Sequence, residues 1–184
     1  MQKIKVKELM VPVSEYPTVS RDASLYQAIL ALEEGHRQLK ERTFKPRAVL
    51  VVDQEGQVVG KLSMWNIMRA LEPKYADIAD FDRLGHWGLN PEFLRSIVKD
   101  RRLWADPLEH LCQTAANKEV HEFMSLPQAD EIVDEDDNLA EAIHHLVMGK
   151  YLSLLVKKQG RVTGFLRLCD VFEKVAELVK SCQI

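Results

Sequence analysis

The residues best suited to chemistry are six histidines and three cysteines, but their spacing forms no recognised site. His144 and His145 are adjacent, so on a helix they point to different faces, and His110 lies two residues from Cys112. The chain contains no HxxxH or CxxC pair of the kind that zinc sites use. It also lacks a P-loop, a GxGxxG segment and any Ser-His-Asp set whose members could be placed together. The sequence therefore predicts neither a metal site nor a catalytic centre.

A second candidate is the acidic run Glu131–Asp137, which holds five carboxylates in seven residues. Negative charge suits a helix N-terminus, and Asn138 follows with a side chain that caps helices well. The run is therefore interpreted as the lead into a helix, with a divalent-cation role as the alternative. Asn66 and Asp170 are also good N-cap residues, so helix capping is one interpretation of both.

Length and composition set limits on the class of protein. The 184 residues, 46% apolar and 29% charged, allow one compact domain or two small ones. Twenty-five Lys and Arg against 28 Asp and Glu give a net charge of −3, so neither nucleic acid nor a membrane is expected as a partner. The longest aliphatic run, Ala48–Val52, is too short for a membrane span, and the first residues do not read as a signal peptide. The cysteines show no pairing pattern, so we expect reduced thiols and a cytoplasmic location.

The chain contains an internal repeat. Residues 6–29 match residues 120–143 at an offset of 114, with eight identities in 24 positions. A second match at an offset of 104 carries Leu50 onto Leu154, Val52 onto Val156 and Gly60 onto Gly164. The difference between the offsets places ten extra residues in the first repeat, between Leu30 and Pro46.

Each repeat is predicted to fold as strand, helix, strand, strand, helix. Ser24 lies three residues before Gln27, and Asn138 three before Glu141, and both are capping-box spacings that predict a helix start. Each of these helices is followed by a β-hairpin with glycine in its turn and then by a second helix. The hairpin strands and last helices are predicted at Ala48–Val52, Val58–Leu62, Trp65–Leu71, Leu152–Val156, Val162–Leu166 and Val171–Lys180.

The segment between the repeats matches neither of them and is predicted to be a helical insert. Helices are predicted at Asn90–Arg101 and Asp106–Ala116, because each begins with a capping residue followed by proline. A further helix is predicted at Tyr75–Leu84. The predicted domains are a first repeat at 1–72, a helical insert at 73–117 and a second repeat at 118–184.

The order of motifs resembles a known family. It runs Val-x-Glu-Leu-Met, a short strand, Leu-x-x-Ala-Ile, an aliphatic strand ending in Val-Asp, and Gly-x-Val-x-Gly-x-Leu-Ser-x-x-Asn. This order resembles the cystathionine β-synthase (CBS) domain, and its two copies resemble a tandem CBS pair, or Bateman module. The resemblance implies an α+β fold in which two CBS-type repeats pack as a pseudo-twofold pair, with the helical insert between them.

The resemblance implies a regulatory module that binds AMP, ADP, ATP or S-adenosylmethionine in clefts between the repeats. In the family, the segment after the second hairpin strand reads Gly-h-x-Thr/Ser-x-x-Asp, with the hydroxyl facing phosphate and the Asp binding ribose. The second repeat keeps Asp170 for ribose, but Arg167 replaces the hydroxyl and either pairs with phosphate or fills the pocket. We expect Ile132, Val133 and Leu152 to line its base slot, and we favour this site.

The first repeat departs from the family motif in a different way. Ser63 keeps the hydroxyl, but Asn66 replaces the Asp and lacks its charge, so a weaker ribose contact is expected. The remaining site residues that the resemblance implies here are Thr18, Val19 and Ala48 for the base slot and Lys45 and Arg47 for phosphate. Lys45 and Arg47 can also be read as solvated flanks of a strand.

Our hypothesis is a stand-alone CBS pair of the bacterial cytoplasm that senses an adenine nucleotide, forms a homodimer and signals to a protein partner. A ligand-free interaction scaffold is the alternative, favoured by Asn66 and Arg167. A third possibility is an enzyme whose chemistry lies in the insert, although its charged residues form no recognisable constellation. Those residues are Asp77, Asp80, Asp82 and His86.

Overall fold

A computed structural model describes residues 4–38, 45–78 and 90–182. The first repeat contains β1 (Val11–Pro12), β2 (Thr18–Ser20), α1 (Leu25–Gln38), β3 (Ala48–Val52), β4 (Val58–Ser63) and α2 (Met64–Leu71). The insert contributes α3 (Pro91–Asp100) and α4 (Leu108–Ala116). The second repeat contributes β5 (Ile132–Asp134), α5 (Leu139–Gly149), β6 (Ser153–Lys158), β7 (Arg161–Arg167) and α6 (Leu168–Ser181). The predicted α+β class and the order of elements in both repeats are confirmed.

Both helices that follow the short parallel strands begin at the predicted caps. Ser24 Oγ accepts a hydrogen bond from Gln27 N at 3.2 Å, and Gln27 Oε1 accepts one from Ser24 N at 2.9 Å, which completes a capping box. In the second repeat, Asn138 Oδ1 accepts from Ala140 N at 2.7 Å instead of forming the predicted box with Glu141. Either arrangement satisfies an amide of the first turn, so both helices start where the local pattern places them.

The strands form two small sheets. In one, β2 pairs parallel to β3, which pairs antiparallel to β4; the other has the order β1-β7-β6-β5. Among the described residues, no helix combines the length and apolar character needed to cross a bilayer.

The strand register corrects the predicted alignment of the hairpins. Val51 and Val156 occupy the same place, each opposite the central valine of its parallel neighbour, so β3 and β6 correspond at an offset of 105. The matches of Leu50 with Leu154 and of Val52 with Val156 are therefore wrong by one residue. The offset of 104 returns in β4 and β7, because the turn of the first hairpin is one residue longer. Nine of the ten extra residues thus precede β3, and one lies in the turn.

Each repeat contributes a short extended segment to the edge of the other repeat's hairpin. Val11 of β1 pairs with Phe165 in β7, and Ser125 pairs with Lys61 in β4 through an isolated bridge. Val11 and Ser125 differ by the offset of 114, and Lys61 and Phe165 by 104. The two contacts are therefore equivalents in a pseudo-twofold pair.

The segments before these strands are exchanged in the same way. Val6 N donates to Asp137 O at 3.0 Å, and its equivalent Val120 N donates to Ala23 O at 2.8 Å. Both valines are fully buried, each in the core of the other repeat. Neither repeat therefore has a complete core of its own.

The matched glycines explain how closely these segments pass. A Cβ built at Gly60 would lie 2.9 Å from Ser125 O, and one at Gly164 would lie 2.5 Å from Met10 Sδ and 3.1 Å from Val11 O. A larger residue at either position would push the exchanged strand away from the hairpin.

A separate apolar cluster joins the two sheets. Its buried members are Val11, Tyr16, Leu50, Leu155 and Phe165. Full burial of an aliphatic or aromatic side chain contributes about 1.5–3 kcal/mol, so this cluster is a major source of cohesion between the repeats.

The insert helices follow the prediction in part. Asn90 Oδ1 accepts from Glu92 N at 2.9 Å and caps α3 as predicted. Helix α4 begins at Leu108, with Pro107 as its N-cap, so the predicted start at Asp106 is wrong. The reason is the extended ψ of 140° at Pro107, which delays the first helical residue. The predicted helix Tyr75–Leu84 coincides with a 3-10 turn, Pro73–Asp77, and residues 79–84 lie outside the described residues.

A buried glutamate fixes the insert to the first repeat. Glu72 is 1% exposed, and its carboxylate accepts from Trp104 N at 2.6 Å and from Lys74 N at 3.3 Å. Trp104 has a positive φ of 59°, which is uncommon for a bulky residue. The Glu72 carboxylate therefore holds the turn between α3 and α4 against the end of α2.

Candidate functional site

The favoured ribose site of the second repeat contains an internal ion pair. Arg167, the last residue of β7, is 4% exposed, and Asp170 lies in the first turn of α6. The Arg167 Nε and Nη2 atoms donate to the two carboxylate oxygens of Asp170, both at 2.5 Å. The guanidinium thus occupies the place of the family's hydroxyl, and both oxygens predicted to bind ribose already accept hydrogen bonds.

An aromatic pair lies close to this ion pair. Tyr16 and Phe165 stack in a tilted arrangement with ring centroids 4.8 Å apart. Burial raises the pKa of the Tyr16 phenol, although the positive charge of Arg167 acts in the opposite direction. Burial likewise raises the pKa of the Cys169 thiol, with the Asp170 charge adding to the effect. Both groups are therefore neutral near pH 7.

The residues predicted to line the base slot of the second repeat do not share one surface. Val133 is 4% exposed and lies in the core of its repeat, whereas Ile132 packs against the cluster between the sheets. Successive strand residues point to opposite faces, so only one of them can line a given pocket. Leu152 is 68% exposed, and its carbonyl accepts from Leu168 N.

In the first repeat, Ser63 and Asn66 form a capping box at the start of α2. Asn66 Oδ1 accepts from Ser63 N at 2.9 Å and from Ser63 Oγ at 2.5 Å, and Asn66 N donates to Ser63 Oγ. The Asn66 Nδ2 atom donates to Ser125 Oγ at 3.0 Å. The amide is thus buried at the junction of the two repeats, where it joins α2 to the exchanged strand segment.

A cavity of about 550 Å³ opens beside this junction. One wall is formed by α2 and Pro73, and the opposite wall by the start of the second repeat. Its lining residues are Asn66, Arg69, Pro73, Lys118, Glu122, Phe123, Met124, Ser125, Leu126 and Gln128. The lining combines two cationic side chains, the Glu122 carboxylate, hydrogen-bonding groups and an aromatic ring. Lys118 Nζ lies 5.4 Å from the Phe123 ring centroid.

Of these lining residues, only Asn66 is among the site residues predicted from the sequence. The segment around Phe123 was recognised as the start of the second repeat, but its contact with α2 depends on the exchange. The sequence feature that could have predicted this contact is the internal repeat, which aligns Met124 with Met10. Each of these methionines lies against a glycine of the other repeat's hairpin.

The other predicted residues of the first repeat lie around the paired ends of β2 and β3. Val19 and Ala48 are buried, at 9% and 6% exposure, and Val19 belongs to the core of the repeat. Thr18, Lys45 and Arg47 are exposed. The Arg47 carbonyl accepts from Met64 N at 2.9 Å, which places the start of β3 next to the start of α2.

The acidic run leads into α5 as interpreted, but Asn138 caps the helix, and carboxylates of the run form ion pairs instead. Glu131, 7% exposed, pairs with Lys61 of β4, and Asp136 pairs with both Lys5 and Lys7. Asn138 already caps α5, so these carboxylates are available to bind cations of the first repeat. For the insert residues considered for an enzyme, Asp77, Asp80, Asp82 and His86, the side chains lie outside the described residues.

Comparison with known proteins supports one family. Residues 6–73 match the family model of the CBS domain. None of the curated proteins matches the chain.

Solved structures with a similar fold cover nearly the whole chain. CBSX2, solved in complex with AMP, is 19% identical, with a TM-score of 0.58, over 95% of this chain and 98% of its own. A CBS domain-containing protein of unknown function from Bacillus anthracis is 16% identical, with a TM-score of 0.63, over 96% and 95%. A putative acetoin utilization protein from Vibrio cholerae is 16% identical, with a TM-score of 0.61, over 97% and 95%. The fold of the chain is therefore that of a CBS-domain pair.

Proposed function

We propose a regulatory module that binds an adenosine-containing ligand, because residues 6–73 match the CBS-domain family model and the chain has the fold of a CBS-domain pair. The ligand class is AMP, ADP, ATP or S-adenosylmethionine, and the similar protein CBSX2 was solved with AMP. Occupancy shifts the shape or assembly of the module, and a protein partner reads the change. This role is regulatory rather than enzymatic. The free thiols of Cys112, Cys169 and Cys182 fit a cytoplasmic location.

The observation that carries the proposal is the cavity beside Asn66. Its volume of about 550 Å³ is within the range of small-molecule sites. Lys118 and Arg69 supply positive charge for phosphate, and the Asn66 and Ser125 side chains supply partners for hydroxyl groups. Since its two walls come from different repeats, a bound ligand joins the repeats directly.

The test is thermal unfolding with AMP, ADP, ATP, S-adenosylmethionine and GMP, each with and without Mg²⁺. A ligand present at 100 times its dissociation constant adds about 2.7 kcal/mol to stability. We expect an adenosine ligand to raise the melting temperature and Lys118→Gln to reduce the shift. Lys174→Gln, on α6 and outside the lining of the cavity, is the control and keeps the full shift. The absence of a shift with every adenosine ligand contradicts the proposal.

At the second repeat, the Arg167–Asp170 pair supports a different expectation. A ribose at Asp170 must share or displace the bonds from Arg167, so the ion pair favours the scaffold alternative for this half. We propose one ligand per chain in the wild type and a second in Arg167→Thr, which restores the family's hydroxyl. Equilibrium dialysis with the ligand found in the unfolding screen measures this stoichiometry. Two ligands per wild-type chain would place one at the site that the sequence favoured.

We also propose a homodimer formed through the last helix of each repeat. Met64 and Leu168 are 42% and 40% exposed, and their neighbours Met68 and Phe172 are 57% and 63% exposed. Each pair corresponds at the offset of 104, so α2 and α6 present equivalent apolar faces. Sedimentation is expected to show a dimer that Met68→Glu with Phe172→Glu dissociates. Leu108→Glu, at an exposed apolar residue of the insert, is the control and leaves the dimer intact.

A further inference from the structure

Three side chains that can bind metal lie together where the two repeats meet. One oxygen each of Asp22 and Glu119 and one nitrogen of His121 lie within 4.8 Å of one another. His121 Nδ1 is 3.1 Å from Glu119 Oε2. All three residues are exposed, so an ion can reach them from solvent.

The backbone holds this cluster in place from two directions. Asp22 follows β2 in the first repeat, whereas Glu119 and His121 begin the second repeat. His121 N donates to Arg21 O at 3.1 Å, and Glu119 forms an isolated antiparallel bridge with Ser24. The potential ligands therefore lie on two segments that are already hydrogen-bonded to each other.

The pseudo-twofold counterpart of this cluster contains cations. At the offset of 114, Asp22 corresponds to Asp136, and Glu119 and His121 correspond to Lys5 and Lys7. Lys5 Nζ is 3.0 Å and Lys7 Nζ is 2.7 Å from Asp136 Oδ1. Hydrogen bonds from Lys7 and Lys5 lower the pKa of Asp136 to about 2. In that half, two lysine side chains of the protein neutralise the charge of the Asp136 carboxylate.

The first half carries a different charge balance at the same place. The first half has two carboxylates and an imidazole, from Asp22, Glu119 and His121. The second half has one carboxylate and two ammonium groups at the equivalent positions. In the first half, two negative charges therefore lie close together. Arg21 contributes one nearby cation, with its Nε atom 3.5 Å from Asp22 Oδ1. The second carboxylate, Glu119, faces the imidazole of His121.

We propose that Asp22, Glu119 and His121 bind a divalent transition-metal ion at the position that the lysine ammonium groups occupy in the other half. An imidazole with two carboxylates suits Zn²⁺ or Mn²⁺ better than Mg²⁺ or Ca²⁺, which prefer oxygen ligands alone. Three protein ligands leave the remaining coordination positions to water. The ion joins the turn after β2 to the start of the second repeat, next to the end of α4, and so stabilises the exchanged arrangement. The three ligands are not among the residues that line the nucleotide cavity, although Lys118 and Glu122 of the same segment are.

Calorimetry with Zn²⁺ on the full chain, stripped of metal with a chelator, tests the proposal. His121→Gln and Asp22→Asn are each expected to weaken the affinity at least tenfold. Asp136→Asn changes the equivalent carboxylate of the other half and is the matched control, with unchanged affinity. Equal Zn²⁺ affinity in all four proteins overturns the proposal, because binding would then involve other histidines or cysteines.

Two further measurements locate the ion and guard against a folding artefact. Mn²⁺ is expected to broaden amide NMR signals of residues 20–24 and 118–122 first, and broadening centred elsewhere contradicts the site. Glu119→Lys with His121→Lys copies the arrangement around Asp136. We expect this variant to melt at a higher temperature than the metal-free wild type and to gain nothing from Zn²⁺. A Zn²⁺-induced rise equal to that of the wild type also overturns the proposal.

Discussion

Replacement of Asp170 by alanine is expected to destabilise the protein by about 3–5 kcal/mol, whether or not a ligand is present. The Arg167 guanidinium is buried, with 4% of the residue exposed, and donates two hydrogen bonds of 2.5 Å to the Asp170 carboxylate. Removal of one partner of a buried pair leaves the other charge in a poorly solvating environment, and this costs about 3–5 kcal/mol. Equilibrium urea unfolding, followed by circular dichroism and tryptophan fluorescence, measures the change.

A double-mutant cycle separates the pair from the cost of losing one charge. Arg167→Met removes the charge but keeps an apolar side chain of similar length. The Asp170 side chain is 12% exposed and the Arg167 side chain 5%, so Asp170 is closer to water than its partner. The double variant Arg167→Met with Asp170→Ala contains neither charge, and we expect it to recover most of the stability lost in Asp170→Ala. A loss below about 1 kcal/mol in Asp170→Ala, or additive effects in the double variant, would refute the assignment of this pair as a buried, coupled unit.

This result also bears on the search for a ligand. Asp170→Ala lowers the melting temperature through the loss of the ion pair alone, so its absolute value says nothing about binding. The useful quantity is the ligand-induced shift within each variant, measured against its own ligand-free control.

Three further predictions concern the exchange, the acidic turn and the insert. Gly60→Ala is expected to cost about 1–3 kcal/mol in urea unfolding, because its Cβ would lie 2.9 Å from the backbone oxygen of Ser125; an unchanged midpoint contradicts the close approach. The folded pKa of Asp136, about 2, lies below the ordinary 3.8, so its contribution to stability is present above pH 4 and is lost as the pH falls towards 2. Asp136→Asn should flatten this part of the acid-unfolding curve, and an unaltered curve argues against the lysine contacts. Glu72→Gln weakens the acceptor for Trp104 N and is expected to cost about 1–3 kcal/mol, with a change in Trp fluorescence that reports release of the turn.

Local features of the fold were predictable from the sequence because their physical causes are local. The capping box at Ser24, the cap at Asn90 and the glycine turns each depend on residues within four positions of one another. The register of β3 was not predictable, because a single extra residue in a hairpin turn leaves no signal in an aliphatic strand. The exchange of strands was invisible for a similar reason, since Ser125 meets Lys61 only after both repeats have folded together.

In the candidate site, too, the local features were predictable from the sequence and the tertiary contacts were not. Ser63 and Asn66 were identified by their place after the hairpin, and their capping geometry follows from their spacing of three. The opposite charges of Arg167 and Asp170 have the same spacing, so their direct contact could have been considered from the sequence. Lys118 and Phe123, in contrast, line the cavity only because the second repeat begins against α2, which is a tertiary contact.

The exchanged first segments bear on how a chain of this kind could arise. A single repeat on its own would lack the valine that completes its core, which comes from the other repeat. Its own first segment, which carries the equivalent valine, would have no core to pack against. Two identical copies would satisfy both needs by swapping, and the contacts would be those now seen between Val6 and the second core and between Val120 and the first. Gene duplication and fusion would then convert a concentration-dependent swapped dimer into one chain whose halves meet at an effective concentration of about the millimolar range. Once the halves are fused, each is free to diverge at its former equivalent positions, as Lys5 and Glu119 have done.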